Sequence, residues 1–279
     1  MKALARFFGT SDTPRRPAVP RGYRLYAIGD VHGRDDLLRD LIAQIEADSS
    51  SRGPARLALV FLGDLIDRGP ASAEVVERLR TYRPTSTRLV FLAGNHEEVL
   101  LRILGGDAQL VGDWLRFGGA ECLLSYGADP AAIRSLPPGQ AVDAIRSAIP
   151  PAHAEFLRTF DDTFRAGDYL FVHAGIRPGL PLAEQVPADL RWIREPFLSD
   201  GTDHGFVVIH GHTIRAQVDE RPNRVGIDTG AYRHGLLTAL GLEGEDRWLL
   251  QAGSPNGNIE AVGNLAITSA LDVVSSQSG

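Results

Sequence analysis

Five short clusters in the sequence carry side chains able to hold a divalent metal. They are Gly29-Asp30-Val31-His32-Gly33, Gly63-Asp64-Leu65-Ile66-Asp67-Arg68-Gly69, Gly94-Asn95-His96-Glu97, His173-Ala174-Gly175 and His210-Gly211-His212-Thr213. Asp, Asn and His together offer oxygen and nitrogen donors without a thiolate. Such a set suits Mn²⁺, Fe or Zn²⁺ at a hydrolytic centre better than a structural zinc site. Two ions that share a carboxylate sit roughly 4 Å apart, the spacing of two-metal hydrolases. One His after a strand is ordinarily a hydrogen-bonded structural residue, and one Gly-Asp pair is ordinarily a turn. Five coincidences of this kind outweigh that reading.

Each cluster directly follows a short β-rich run. The runs are residues 23–28, 57–62, 88–93, 169–172 and 206–209, with a further run at 225–227. Several are nearly continuous in apolar residues, as strands buried on both faces are. Between the first runs lie amphipathic helical patterns: Leu37, Leu38, Leu41, Ile42 and Ile45 share one face, and Val75, Val76, Leu79 and Tyr82 share another. Strand–helix–strand alternation predicts an α/β fold with a largely parallel sheet in its first half. In such a sheet, sites form beyond the carboxyl ends of the strands, which would bring the clusters together. Residues 98–167 read as a helical insertion with no clear strand. The runs at 236–242 and 247–251 predict a second sheet of mostly antiparallel strands.

Composition narrows the chemistry. Of 29 cationic residues in the 279-residue chain, Lys2 is the only lysine, so the other 28 are arginines. A Walker phosphate loop or a pyridoxal Schiff base needs a lysine elsewhere than in a polar N-terminal segment. Cys122 is the only cysteine, which excludes an intramolecular disulfide framework and a Cys-based metal cluster. A net charge of −6 without a basic block argues against nucleic acid as a partner. The apolar runs fall far short of the roughly 20 residues of a membrane helix. Residues 1–8 lack an apolar core of signal-peptide length, which points to a cytoplasmic protein without a membrane partner. Residues 1–20 and 264–279 read as flexible tails around a catalytic domain at 21–263.

The first three clusters, in this order, resemble the three-part signature of the PPP-type phosphoprotein phosphatases within the calcineurin-like metallophosphoesterases. Asp30 and Asp64 are 34 residues apart and Asp64 and Asn95 are 31 apart, room for a helix between each pair. The resemblance spans about residues 23–242 and is nearest to the short bacterial and phage members. It implies a sandwich of two mixed β-sheets flanked by helices, and two divalent ions, Mn²⁺ ahead of Fe or Zn²⁺. It assigns Asp30 and His32 to the first metal, Asp64 to both, and Asn95, His173 and His212 to the second. His96 would be the general acid for the leaving oxygen, with Asp67 holding its imidazole in one tautomer. Arg68 would bind phosphate oxygens, and Arg194 in Trp192-Ile193-Arg194-Glu195 is the candidate for a second phosphate clamp. A metal-bound hydroxide would attack phosphorus in line, so no cysteine nucleophile is needed. The cysteine-phosphatase pattern indeed fails, since six residues after Cys122 stands Ala128.

Two positions depart from a simple match. His210 precedes His212 by two, and the Gly-His-Thr pattern assigns the ligand to His212 and a supporting role to His210. Asp228 also follows a β-rich run, without a decided role. The leading expectation is a phosphoserine/phosphothreonine protein phosphatase. The alternative is a symmetrical dinucleoside tetraphosphate hydrolase, for which aromatic platforms over the site would speak. Trp114, Phe117, Tyr126 and Trp192 could supply them but are each expected in the core. A noncatalytic binding protein on the same fold is the third reading, against which the full ligand set and His96 speak.

Overall fold

The computed structural model describes residues 16–253 and 262–266. The chain runs β1 (Tyr23–Ile28), α1 (Asp35–Ser51), β2 (Arg56–Phe61), α2 (Ser72–Thr81), β3 (Thr87–Phe91) and α3 (Asn95–Leu104). Short helices follow: α4 (Val111–Trp114), α5 (Ala120–Ser125), α6 (Pro130–Arg134), α7 (Pro138–Ala148) and α8 (Pro151–Arg158). Next come β4 (Thr163–Ala166), β5 (Tyr169–Val172), α9 (Pro187–Trp192), β6 (Val207–His210), β7 (Asp219–Arg221) and β8 (Arg224–Gly226). The last elements among the described residues are α10 (Ala231–His234), β9 (Leu236–Glu243), β10 (Asp246–Gly253) and β11 (Val262–Ala266).

These strands make two mixed sheets. One has the order β11-β10-β9-β1-β2-β3 and the other β4-β5-β6-β8-β7. The period-2 alternation of a strand sends successive side chains to opposite faces, and the core divides accordingly. Leu25, Ala27, Ala58 and Val60 of the first sheet pack between the sheets against Phe171, Ile209 and Val225 of the second. Tyr26, Ile28, Leu59 and Phe61 face outward under α1, α2 and the helical insertion. Leu170, Val172 and Val208 face outward from the second sheet onto Leu190, Ile193 and Phe197. Both sheets are therefore covered on both faces, the α/β sandwich that the resemblance implied.

Register sets the position of the site. Ile28 pairs with Phe61 and Phe61 with Phe91, so the three parallel strands end level. In the second sheet Phe171 pairs with Ile209 in the parallel β5–β6 ladder. The residues just past these ends meet at one edge of the sandwich.

Three expectations need correction. β9 and β10 do not build the second sheet: β9 pairs antiparallel with β1 and extends the first. The open edge of β1 accepts them, and hydrophobic alternation carries no information on which edge a strand joins. The second sheet instead has parallel β5, β6 and β8 at its centre. The stretch expected to lack strands holds β4, which pairs antiparallel with β5. Of the expected N-terminal tail, residues 1–15 lie outside the described residues, but its last part is docked. Val19 is buried and its N–H donates to the Gly244 carbonyl at 3.0 Å, and Tyr169 Oη donates to the Pro17 carbonyl at 3.1 Å. At the other end, β11 takes in residues 264–266 of the expected tail, and 267–279 lie outside the described residues.

Candidate active site

The turns after β1, β2 and β6 are built on strained backbone. Among the described residues, the non-glycine positions with left-handed φ are His32, Asp64, Asp67, Arg68, Ser86 and His212. All but Ser86 are residues that the sequence singled out. Such conformations cost on the order of 1–3 kcal/mol each and persist where the surroundings over-determine them, as at functional sites.

Glu97, for which the sequence suggested no task, is one of those constraints. Fully buried at the start of α3, it accepts hydrogen bonds from the N–H groups of Asp64 (2.9 Å), Leu65 (2.8 Å) and Gly94 (3.0 Å). It staples the turn after β2 to the turn after β3. A glutamate three residues into a helix reaching back to its cap is a recognisable sequence signal. Burial, then the charge of Asp64, pushes its carboxyl up to about 7.

Asp64 stands at the centre. Its Oδ2 lies 3.4 Å from His32 Nε2 and 3.9 Å from His96 Nε2, and its Oδ1 lies 3.5 Å from His173 Nε2. His173 Nε2 is in turn 3.1 Å from Asn95 Oδ1 and 3.2 Å from His212 Nδ1. His32 and His173 each direct Nδ1 at a backbone carbonyl, Ile66 and Leu62 respectively, both at 2.8 Å. Donation from Nδ1 leaves Nε2 with its lone pair toward Asp64. Both oxygens of Asp30 accept from the His212 N–H, at 3.2 and 3.0 Å.

Two overlapping donor groups result: His32, Asp64 and His96, and Asp64, His173 and His212, with the ligand atoms of each group within 4.8 Å of one another. All five residues are buried. Burial lowers the pKa of His32 and His173 and takes His212 down to about 2, so these imidazoles are neutral, the form that binds metal. His212 Nε2 is buried with no hydrogen-bond partner. A buried carboxylate shared by neutral imidazoles with an unpartnered ring nitrogen is a donor set that fits divalent cations. The grouping differs in two respects from the ligand set that the resemblance implied: His96 joins the first triad, and Asp30 lies beside the cluster on the His212 backbone.

The remaining candidates lie around this cluster. His96 Nδ1 is 2.6 Å from Asp67 Oδ2, and the same oxygen accepts from Trp114 Nε1 at 2.9 Å. Trp114 is thus a core residue with a task, which the sequence did not reveal. Burial works against the imidazolium of His96, but the charges of Asp64 and Asp67 raise its pKa overall. Arg68 places Nη1 3.0 Å from His32 Nε2, and Arg194 lies exposed in the same cleft. Asp228 is buried with Oδ2 unpartnered, and burial pushes its carboxyl up to about 7. Asp30 is pushed well above its ordinary range by burial and by the charges of Asp228 and Asp64. His210 belongs elsewhere: its ring packs edge-on against Phe197 at 5.1 Å and against Gly226, under the second sheet. Cys122 is buried in the helical core, and burial raises its thiol far above the reactive range.

The cluster opens into a cleft of about 460 Å³ bordered by Arg68, Asn95, His96 and Arg194. Among the described residues no helix is long and apolar enough to cross a membrane.

Similar proteins place this geometry. The symmetrical bis(5'-nucleosyl)-tetraphosphatase of Janthinobacterium sp. (strain Marseille) is 27% identical over 278 residues, spanning 82% of this chain and 96% of that protein. A crystal structure of a candidate diadenosine tetraphosphatase superposes with a TM-score of 0.57 at 21% identity, covering 89% of this chain and 98% of that one. A mutant of a cold-active protein tyrosine phosphatase superposes with a TM-score of 0.50 at 18% identity, covering 88% and 83%. At those identities the two structures show the shared fold alone. The calcineurin-like phosphoesterase family matches residues 23–235, a stretch that begins with β1 and takes in all five clusters. With that match over most of its length, the chain belongs to the calcineurin-like phosphoesterases.

Proposed function

We propose that this phosphoesterase hydrolyses dinucleoside tetraphosphates symmetrically, ahead of the phosphoprotein reading favoured by the sequence signature. The observation that carries the proposal is the nearly full-length similarity to a protein named for that reaction. The site supports it. The donor cluster sits at the end of a bounded cleft of about 460 Å³ with two arginines along it, within the range of small-molecule sites.

In this reading His32 and Asp30 hold one divalent ion, His173, His212 and Asn95 hold the second, and Asp64 serves both. Bound ions supply Lewis acidity, which lowers the pKa of a water and offsets phosphoryl charge. Arg68 and Arg194 bind the polyphosphate oxygens and orient the chain. His96, held by Asp67, carries a proton on Nε2 for the leaving oxygen. Addition of one water across the central P–O–P bridge forms one P–O bond, breaks another and releases two nucleoside diphosphates.

The test compares diadenosine tetraphosphate, a phosphoserine peptide and p-nitrophenyl phosphate with purified protein and Mn²⁺. The expected result is ADP as sole nucleotide product, with the highest kcat/KM for the dinucleotide. A higher kcat/KM for the phosphopeptide restores the phosphoprotein reading. No hydrolysis with any of Mn²⁺, Fe²⁺ or Zn²⁺ overturns the enzymatic reading.

A further inference from the structure

Two aromatic side chains border the cleft in an unusual state. Phe117 is 65% exposed and Trp192 is 41% exposed, although the sequence places both in the core. Both line the same cleft as Arg68, His96 and Arg194. Among the described residues neither ring stacks on another aromatic ring. Exposed aromatics flanking a cationic cleft are a surface that gains by covering, and the ligand that covers it must carry both an aromatic face and anionic oxygens.

The Trp192 ring and the turn that carries Phe117 are also held in place. Trp192 Nε1 donates to Glu98 Oε2 at 3.2 Å, and Arg191 Nη1 donates to the same oxygen at 3.3 Å. The indole at the end of α9 is thereby tied to α3, the helix that begins with Asn95 and His96. Phe117 sits in a π turn (Leu115–Gly119) of the helical insertion, where Gly118 adopts φ +123°. Such turns inside helices are frequent at functional sites. The Gly118 carbonyl accepts from the Arg68 N–H at 3.0 Å, and a Cβ on Gly118 would stand 2.6 Å from that nitrogen. The turn that presents Phe117 is thus fastened to the backbone of Arg68.

We propose that Phe117 and Trp192 form an aromatic clamp that stacks on a nucleobase of the substrate, preferentially a purine. The assignment rests on the nucleotide reading of the site and deepens it. The rings read the base, while Arg68 and Arg194 take the phosphates attached to it. Stacking on a protein aromatic suits a base because every base has a π-face, and the larger purine covers more of each ring.

Calorimetric binding of AMP and of ribose 5-phosphate to the Mn²⁺-loaded protein tests the clamp, because the two probes differ only in the base. AMP is expected to bind about tenfold more tightly, within the range of a single stacked base. Phe117→Ala and Trp192→Ala should each shrink that ratio, whereas Phe117→Tyr and Trp192→Phe should keep most of it. Thermal melts of all four variants control for folding. Equal affinities in the wild type, or a ratio that survives both alanine variants, overturns the clamp. The two proposals fail separately. A protein that prefers AMP through these rings yet does not cleave diadenosine tetraphosphate keeps the clamp and loses the proposed function. One that cleaves the dinucleotide with its AMP preference intact in both variants loses only the clamp.

Discussion

His96, Asp67 and Trp114 form a short relay whose geometry dictates how leaving groups should respond. Asp67 Oδ2 meets His96 Nδ1 at 2.6 Å and accepts from the Trp114 indole at 2.9 Å, which fixes the imidazole ring and aims Nε2 toward Asp64. A proton carried there matters most when the departing oxygen is a strong base. His96→Asn should therefore lower kcat on a phosphoserine peptide by roughly 10²-fold, within the usual worth of general acid catalysis. It should lower kcat on diadenosine tetraphosphate less, because a nucleoside diphosphate leaves as a stabilised anion. Steady-state kinetics on both substrates checks this, and equal losses would remove His96 from the acid role. Asp67 and His96 were legible because they lie inside strand-end clusters. Trp114 was not, since an indole in an apolar helix looks the same in sequence whether its N–H is used or not. Glu97 was present in its cluster, but its task depends on N–H groups more than thirty positions away, at Asp64 and Leu65.

At the scale of elements, the site exists because strands end level and their turns are pinned. The Asp64 and Leu65 N–H groups point at Glu97, and each would be buried without a partner if its acceptor were lost. Leaving one such group unsatisfied costs about 1–3 kcal/mol. Glu97→Ala should therefore destabilise the fold by at least about 3 kcal/mol, the two N–H penalties added to the loss of packing. Urea denaturation reads this as a lower midpoint, and an unchanged midpoint would show that Glu97 does not hold the turn. The strands that feed the clusters were readable because each is a run of apolar residues punctuated by glycine. β5 was delimited to the residue and β1 likewise. β7 was invisible because Asp219-Glu220-Arg221 is a short edge strand with no apolar run. The placement of β9 and β10 was missed for a different reason: pairing partners are set by which edge is free, a property of the assembled sheet. The exposure of Phe117 follows from the π turn, whose backbone departs from the helical pattern at Phe117 and Gly118.

For the whole molecule, the chain concentrates charge where it is least solvated. Asp30, Asp64, Glu97 and Asp228 are all buried in a protein of net charge −6. Burial raises Asp30, Glu97 and Asp228 and lowers His32, His173 and His212, so these six groups favour their neutral forms, whereas His96 and Asp64 shift toward the charged form. Divalent ions held by this cluster would bind the folded chain and not the unfolded one. At a concentration near 100 times Kd that preference is worth about 2.7 kcal/mol. For a domain of this size, it corresponds to a Tm rise of about 5–10 °C. The sign of the pH dependence follows from the raised carboxyls. A proton on Asp30 must leave before the oxygen can bind metal, so protons compete with the ion as pH falls. His32, His173 and His212 already favour the neutral form and add little competition near neutrality. The Mn²⁺-induced rise in Tm should therefore be larger at pH 8 than at pH 5.5, chelation should reverse it, and Asp64→Asn should abolish it at both. Differential scanning calorimetry with and without Mn²⁺ measures all three, and a rise that is the same at the two pH values would contradict direct competition at the raised carboxyls.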